Sequence, residues 1–435
     1  AHSRGQSDRA TELYEQAFML RPNDERIMLR LGRMYAKRAD SSPAIPILEK
    51  LSRKPRGTAS QKTVTHANRL LGDLYADRRQ YDSAVMAYQK SLDSDGGEVR
   101  ALAGLGWARL RQGEWVQAVQ TFEQAVELSK KDPQLLNGLG RAYTKIDQPD
   151  RAVPFFNQAL LLDEKAPGTK TDRASIFTGR GLALIASNDS NAAMRDLDQA
   201  RSLDGKYGEA EMARGHLLVR EERFNEAIAA YERGVLFNWK TAELYLNLGQ
   251  TFLYTNRAER AKNAFSNAIE RDGNHAGAHA ALGDVYREEG EFERAMESYR
   301  RAIKLDSGLA AGYGGLADVF HEMRETDKAI ALYHRTVELN PTDGISYGRL
   351  AGLYRKQGDQ DKYERAYETA QQLVPSTSYY NQACLESIRG NVTGAVQLLR
   401  RGLHLREIRP EWVRRDPDFD FIREDPRFVG LLSGW

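Results

Sequence analysis

The sequence predicts an all-α solenoid of about eleven helix-turn-helix units. Three observations predict this fold class. A small residue recurs every 34 residues, an Ala and a large residue follow it at fixed offsets, and turn residues separate the two halves of each interval. A single helical hairpin cannot bury its apolar face, whereas stacked neighbours bury their faces jointly.

The small residue marks the first half of each interval. Its spacing is 34 residues in two runs, which comprise Gly72, Gly106 and Gly140, then Gly181, Gly215, Gly249 and Gly283, followed by Ala317 and Ala351. Small residues at a fixed place in successive helices indicate that two helices approach closely there.

The second half carries an Ala twelve residues later and an aromatic residue or Leu after four more. The Ala positions are Ala84, Ala118, Ala152, Ala193, Ala227, Ala261, Ala295 and Ala329. The large residues are Tyr88, Phe122, Phe156, Leu197, Tyr231, Phe265, Tyr299 and Tyr333. Steps of four residues place these side chains on one face of a helix.

The pattern Leu-Gly-x-x-Tyr followed by Ala, an aromatic residue and Ala, as in "LGDVYREEGEFERAMESYRRA", resembles the tetratricopeptide repeat (TPR). The resemblance implies a right-handed superhelical solenoid. It also implies a partner-binding scaffold, since members of this family bind diverse ligands and the fold itself does not specify which.

The pattern predicts units that begin near Glu25, Thr65, Val99, Pro133, Ala174, Gly208, Ala242, Ala276, Ala310, Gly344 and Ser376. Two intervals are longer than the others, and their extra residues fall in "SRKPRGTASQKTV" (52–64) and "DEKAPGTKTDR" (163–173). We expect exposed loops there, with a contact loop for a partner as the alternative.

We divide the chain into four regions by repeat pattern and charge. Residues 1–24 are expected to form the second helix of a truncated unit, with Gly5 at its turn, and the native chain is expected to continue upstream. Residues 25–172 carry units with a basic groove, and 173–375 carry units with an acidic groove. Residues 376–435 comprise the final unit and a helical cap.

The cap prediction rests on the closing stretch "EWVRRDPDFDFIREDPRFVGLLSGW". Asp416-Pro417 and Asp425-Pro426 are typical helix starts, with Asp as N-cap and Pro at the first helical position. The stretch resembles the segment that closes many bacterial TPR proteins. We expect it to cover the last helix with Trp412, Phe419, Ile422, Phe428, Leu431 and Leu432, and a docking peptide is the alternative.

No constellation of residues predicts catalysis, a cofactor or a metal site. His275 and His279 are four residues apart but lack a third ligand, the lone Cys384 has no pairing partner, and "GYGGLA" (312–317) lies within a predicted helix. A net charge of +2 gives no field to attract nucleic acid. No apolar run is long enough for membrane insertion.

Three functions remain open. The first is a non-enzymatic scaffold that binds a peptide or helical segment of a partner in its concave groove, with an assembly subunit as one form of it. The second is a regulatory or substrate-recruiting domain of a larger enzyme or membrane-anchored protein whose other domain lies upstream. The third is binding of single-stranded RNA, which the near-zero net charge disfavours. The sequence leaves compartment and oligomeric state open.

The family's inner wall comes from the first helix of each unit, which implies candidate partner-binding residues. They are Arg69, Arg100, Trp107, Arg111, Asn137, Arg141, Lys145, Asn247, Gln250, Tyr254, Asp284 and Asp318. Small residues such as Gly104, Gly138, Gly179 and Gly315 are expected to leave room for the bound segment. We expect the partner to have acidic residues that face the amino-terminal half of the groove. Replacing Arg100 and Arg141 with Glu is expected to weaken binding of this partner without loss of helical structure.

Overall fold

The computed structural model describes residues 2–37, 41–54, 60–237, 239–405 and 410–434. Within them, the regular elements are 25 α-helices and one short 3₁₀ helix, which confirms the all-α prediction. The chain comprises two compact units, unit 1 (residues 1–221) and unit 2 (residues 222–435).

Unit 1 contains one leading helix, five helical hairpins and a further first helix. They are α1 (His2–Leu20), α2 (Glu25–Ala36), α3 (Ala44–Ser52), α4 (Gln61–Asp77), α5 (Tyr81–Ser94), α6 (Val99–Gln112), α7 (Trp115–Leu128), α8 (Pro133–Lys145), α9 (Pro149–Lys165), α10 (Lys170–Ala186), α11 (Ser190–Leu203) and α12 (Gly208–Arg220).

Unit 2 begins with a second helix, continues with five hairpins and ends in a closing segment, which consists of residues 410–434. Its helices are α13 (Phe224–Leu236), α14 (Ala242–Tyr254), α15 (Ala258–Arg271), α16 (Ala276–Glu288), α17 (Phe292–Leu305), α18 (Ala310–Glu322), α19 (Thr326–Leu339), α20 (Gly344–Gln357), α21 (Gln360–Leu373), α22 (Tyr379–Arg389), α23 (Val392–His404), α24 (Pro410–Arg415), the 3₁₀ helix (Pro417–Phe421) and α25 (Pro426–Ser433). None of the described helices is long and apolar enough to span a membrane.

In four hairpins the aromatic residue of the second helix packs against small residues of two first helices. The ring of Tyr88 occupies the space where a Cβ atom on Gly72 or on Gly104 would lie. The same filling by a ring of the preceding hairpin occurs at Gly138, Gly179 and Gly315. Those glycines therefore do not leave room for a bound segment as we expected, because protein interiors are close-packed and the rings already fill that space.

Most predicted unit starts agree with the structure, but the first helix that follows each long interval begins one turn earlier than expected. α10 begins at Lys170, one turn before the predicted Ala174, and α4 begins at Gln61 rather than Thr65. In the second interval only residues 166–169 lie outside helices. The helix begins at Lys170 because Thr169 and Asp172 form a capping box. The Thr169 hydroxyl accepts a hydrogen bond from the Asp172 backbone N–H, and the Asp172 carboxylate accepts one from the Thr169 N–H. In the first interval, residues 55–59 lie outside the described residues.

The two termini differ in how far they follow the predictions. Gly5 lies inside α1 and not at a turn. In the closing segment, Asp416 and Asp425 cap the 3₁₀ helix and α25 as predicted. Phe419 and Phe428 pack with residues of α22 and α23 in one core, so the segment does cover the last hairpin.

Each described hairpin turn places one residue in the left-handed backbone region. The position lies seven residues after the small residue, and it is Gly113 in one hairpin, with φ +84°, and Arg79 in the preceding one, with φ +58°. The Cβ atom of a residue other than glycine raises the energy of this conformation. The repeat geometry thus imposes strain wherever the turn lacks glycine.

Arg79→Gly is expected to stabilise unit 1 by about 1 kcal/mol, since glycine adopts positive φ without a Cβ clash. The side chain of Arg79 is exposed, so little packing is lost. Gly113→Ala, the converse change at the equivalent turn, should destabilise by a similar amount. Urea denaturation followed by circular dichroism measures the change in the free energy of unfolding for each variant. If both variants stabilise the protein, or both destabilise it, the strain argument is wrong.

Candidate functional site: the first-helix faces

The first helices of unit 1 carry a basic cluster, which consists of Arg30, Arg33, Arg69 and Arg100. Burial lowers the pKa of Arg33, and the positive charges of the other three lower it further. Arg30 and Arg100 are exposed. The predicted residues Arg69 and Arg100 therefore belong to one patch on α2, α4 and α6.

Among the described residues, acidic side chains pair with this cluster only at Arg69. Its Nη1 donates to Asp73 Oδ2 at 2.6 Å, and its Nε lies 3.9 Å from Glu98 Oε1. The neighbouring His66 responds to the surplus of positive charge, because burial and the charge of Arg33 lower its pKa although Glu98 acts in the opposite direction. The cluster therefore retains a positive potential that an acidic ligand could offset.

Two other predicted residues, Asn137 and Arg141, belong to a buried network. Arg141 makes a bidentate pair with Glu209, with Nη1–Oε1 at 2.7 Å and Nη2–Oε2 at 3.1 Å. It also donates to the carbonyl oxygen of Ser175 at 2.9 Å and to the side chain of Asn137 at 3.2 Å. Asn137 is fully buried. Neither side chain is free to bind a partner, so reversal of Arg141 would disrupt folding, contrary to our expectation.

Three further predicted residues of unit 1 differ in exposure. Trp107 is partly buried and packs edge-on against Phe122, with ring centroids 5.5 Å apart. Arg111 and Lys145 are exposed on α6 and α8, and the charge of Arg111 contributes to the lowered pKa of Glu209. Trp107 therefore serves packing, whereas Arg111 and Lys145 extend the exposed basic surface beyond the basic cluster.

In unit 2, α14 carries the predicted residues Asn247, Gln250 and Tyr254. Gln250 is exposed, Asn247 is partly buried, and its backbone carbonyl accepts a hydrogen bond from Thr251 Oγ1 at 2.7 Å. Tyr254 is 65 % exposed and stacks on Phe224 with ring centroids 5.0 Å apart. Of the three, Tyr254 offers a partner the largest apolar surface.

The predicted acids Asp284 and Asp318 lie together beside Arg287. Each accepts a hydrogen bond of 2.6 Å from a core tyrosine, Tyr299 for Asp284 and Tyr333 for Asp318. Arg287 bonds Glu322 at 2.7 Å and lies 3.9 Å from Asp318. These acids are partly buried and internally compensated, so they do not form a solvated acidic wall.

Asp284→Asn is expected to stabilise unit 2 by about 1–3 kcal/mol at pH 7.5 and by much less at pH 4. Burial raises the pKa of Asp284 from 3.8 to about 6, against the opposing charge of Arg287. The folded state binds this proton more tightly than the unfolded state, so stability falls as the pH rises from about 4 to about 6. Urea denaturation at both pH values measures the gain. Glu297→Gln, at an exposed position of α17, is the control and should change stability little at either pH. A gain in stability for Asp284→Asn that does not depend on pH would contradict the raised pKa of Asp284.

The closing segment covers the first-helix face of α18 and α20. Arg349 Nη1 donates to Asp416 Oδ1 at 2.7 Å and to Asp418 Oδ2 at 2.6 Å. Lys356 Nζ donates to Asp420 Oδ2 at 2.8 Å. The chain's own acidic residues thus neutralise both cations.

Further contacts hold the same segment against the end of α16. Arg415 donates to the backbone carbonyls of Glu288 at 3.0 Å and Arg287 at 3.3 Å. Burial opposes ionisation of Asp416, but Arg349 outweighs it and lowers the pKa of that carboxyl to about 2. The sequence analysis missed these contacts, although the closely spaced Asp residues after α24 were a signal that a basic surface lies nearby.

Family models described as tetratricopeptide repeat match this chain in three groups. One matches residues 69–133 and 246–310, a second matches 109–167, and a third matches 313–345. The chain is a tetratricopeptide repeat protein. The matches fall in both units, where the hairpins follow the 34-residue pattern.

Solved structures resemble this TPR protein at low sequence identity. The crystal structure of the APC/C hetero-tetramer Cut9-Hcn1 is 14 % identical, with a TM-score of 0.52 over 93 % of this chain and 94 % of the other. YrrB, a TPR protein with an unusual peptide-binding site, is 19 % identical over 43 % and 92 %, with a TM-score of 0.35. Pseudomonas aeruginosa pilF is 18 % identical over 48 % and 95 %, with a TM-score of 0.43. A search of curated proteins found no match. The first likeness supports the fold alone.

Proposed function

We propose that this TPR protein is a non-enzymatic scaffold whose unit 1 binds an acidic peptide or helical segment of a partner protein. The binding surface is the first-helix face that carries the basic cluster, extended by Arg111 and Lys145. The observation that carries the proposal is the surplus of positive charge around Arg33, with Arg30 and Arg100 exposed. TPR folds are typically protein-interaction scaffolds, which supports a binding role over a catalytic one.

An internal comparison of the repeats indicates what such a surface can hold. Arg349 and Lys356 lie two residues before and five residues after the small residue Ala351. Arg30 and Lys37 stand at the same offsets from Gly32, and both are exposed. In unit 2 these positions bind the Asp residues of the closing segment. In unit 1 they offer equivalent cations to an acidic segment from another molecule.

The closing segment itself supplies the probe for a binding experiment. A fluorescein-labelled peptide with the sequence of residues 416–421, Asp-Pro-Asp-Phe-Asp-Phe, is titrated with the full chain, and anisotropy reports binding. We expect binding that weakens as salt rises, and a peptide with Asn in place of each Asp should bind at least about tenfold more weakly, since charge pairs are lost.

Variants then assign the binding to unit 1. Arg30→Glu/Arg100→Glu should weaken binding by more than about tenfold, or roughly 1.4 kcal/mol. Lys90→Glu, at an exposed position on the second helix α5, is the matched control and should bind normally. Equal affinities for the double variant and the native chain would refute the proposed surface, provided that circular dichroism shows both to be folded.

A further inference from the structure

Three buried side chains converge where the closing segment meets α18. They are His321, Asp416 and Asp418, which are 3 %, 6 % and 3 % exposed. Each offers one nitrogen or oxygen atom, and these atoms all lie within 4.8 Å of one another. His321 and the two Asp residues are far apart in the sequence, so only the folded closing segment brings them together.

Polar atoms at this junction lack hydrogen-bond partners. His321 Nδ1 and Nε2 and Asp418 Oδ1 are all buried and unpartnered. Nε2 lies 3.3 Å from Oδ1, but the two do not have hydrogen-bond geometry. Buried polar groups of this kind normally have a partner, which can be a bound ion.

The spacing fits two ligands of one metal ion. Zinc binds imidazole nitrogen and carboxylate oxygen at about 2.0–2.2 Å, so two such ligands at a tetrahedral angle lie about 3.4 Å apart. The Nε2–Oδ1 distance of 3.3 Å agrees with this value. One imidazole and two carboxylates also form a donor set that suits a first-row divalent cation.

Neighbouring groups orient the two carboxylates and leave Asp418 Oδ1 without a hydrogen bond. Asp416 Oδ1 accepts hydrogen bonds from Arg349 Nη1 at 2.7 Å and from the Asp418 backbone N–H at 2.9 Å. Asp416 Oδ2 accepts one from the Tyr380 hydroxyl at 2.6 Å, so Oδ2 is the oxygen available to a metal. Arg349 bonds Oδ2 of Asp418 and not Oδ1. A carboxylate oxygen can accept a hydrogen bond and still bind a metal through its second lone pair. These contacts therefore correspond to the outer groups that hold metal ligands in place.

The charges at the junction fall into two neighbouring groups. Three guanidinium groups, those of Arg287, Arg349 and Arg415, face five carboxyl groups in one network, which are Asp284, Asp318, Glu322, Asp416 and Asp418. Beside it, Arg324, Lys356 and Arg423 surround the single carboxyl group of Asp420. A bound ion is therefore indicated by the buried unpartnered atoms and their spacing, and not by net charge.

Two cavities reach the junction and provide an entry path. One of about 220 Å³ is lined by His321 and Asp416, and another of about 320 Å³ is lined by His321 and Asp420. Either has room for a water molecule as a further ligand.

We propose that His321, Asp416 and Asp418 bind a divalent first-row cation, with Zn²⁺ the best match, and that the ion fastens the closing segment to α18. The site joins one repeat helix to the segment that covers it. Metal binding therefore stabilises the covered state of unit 2.

The test uses the full chain, freed of metal with EDTA and then titrated with Zn²⁺ in a calorimeter. We expect one tight site per chain and a rise in the thermal unfolding temperature of unit 2. His321→Gln should weaken that site by more than about tenfold, because it removes a ligand. His279→Gln is the matched control, since His279 instead contacts the Gly273 carbonyl at 3.2 Å, and it should leave binding unchanged.

A direct measurement keeps the proposal testable if the His321 variant does not fold. Crystals of the native chain grown with Zn²⁺ should show an anomalous-scattering peak between His321 and Asp418. Absence of a calorimetric site, a peak elsewhere, or unchanged affinity in folded His321→Gln would each overturn the proposal.

Discussion

Arg141→Met is expected to lower the free energy of unfolding of unit 1 by about 3–5 kcal/mol, because it leaves the carboxylate of Glu209 partly buried without its cation. The Glu209 side chain is 12 % exposed and that of Arg141 is 14 % exposed. Burial opposes ionisation of both, but their mutual attraction lowers the pKa of Glu209 and raises that of Arg141. Urea denaturation followed by circular dichroism measures the loss.

The double variant Arg141→Met/Glu209→Met separates a lost charge partner from lost packing. Replacing both members of a buried pair with apolar residues is often close to neutral, so most of the stability should return. If the double variant is as unstable as the single one, the unpaired carboxylate is not the cause of the instability. Arg100→Met, an exposed member of the basic cluster, should change stability by less than about 0.5 kcal/mol.

Phe122→Ala is expected to cost about 3–5 kcal/mol, because it removes a fully buried ring and leaves a cavity. The ring lies against Gly106 of its own hairpin and Gly138 of the next, and Trp107 packs edge-on against it. The loss should therefore loosen the contact between neighbouring repeats as well as the hairpin itself. Denaturation monitored by Trp fluorescence and by circular dichroism measures both effects.

Leu128→Ala is the matched control for this cavity. Leu128 lies on the same helix, α7, but is 56 % exposed, so its truncation should cost less than about 0.5 kcal/mol. A small effect of Phe122→Ala, similar to that of Leu128→Ala, would contradict the assigned role of the ring.

The repeat hairpins could be predicted from the sequence because each one depends on local spacing. The small residue and the aromatic residue that fills its space are 16 residues apart, so their period sets the register of both helices. α6, α8 and α12 begin at the predicted Val99, Pro133 and Gly208. The extra turn of α10 differs from the prediction, because the Thr169 capping box starts a helix directly after Pro167 and Gly168, residues that are typical of a loop.

The candidate site was harder to predict because it depends on pairs between distant residues. Arg141 and Glu209 are 68 residues apart, and position in the repeat shows that both lie on first helices but not that they meet. Similarly, Asp416 was predicted only as a helix cap, and nothing local in the sequence shows that it meets Arg349, 67 residues away. Arg30 and Arg100 remain candidates for partner binding because they are exposed.

The most direct test of the proposed binding surface is a crosslinking map. The peptide of residues 416–421 is synthesised with a photoreactive group, bound to the full chain, irradiated, and the crosslinked residues are identified by mass spectrometry. We expect crosslinks on α2, α4 and α6 around Arg30, Arg33 and Arg100, and their loss in the variant Arg30→Glu/Arg100→Glu. Crosslinks confined to the second helices α3, α5 and α7, or to unit 2, would contradict the account.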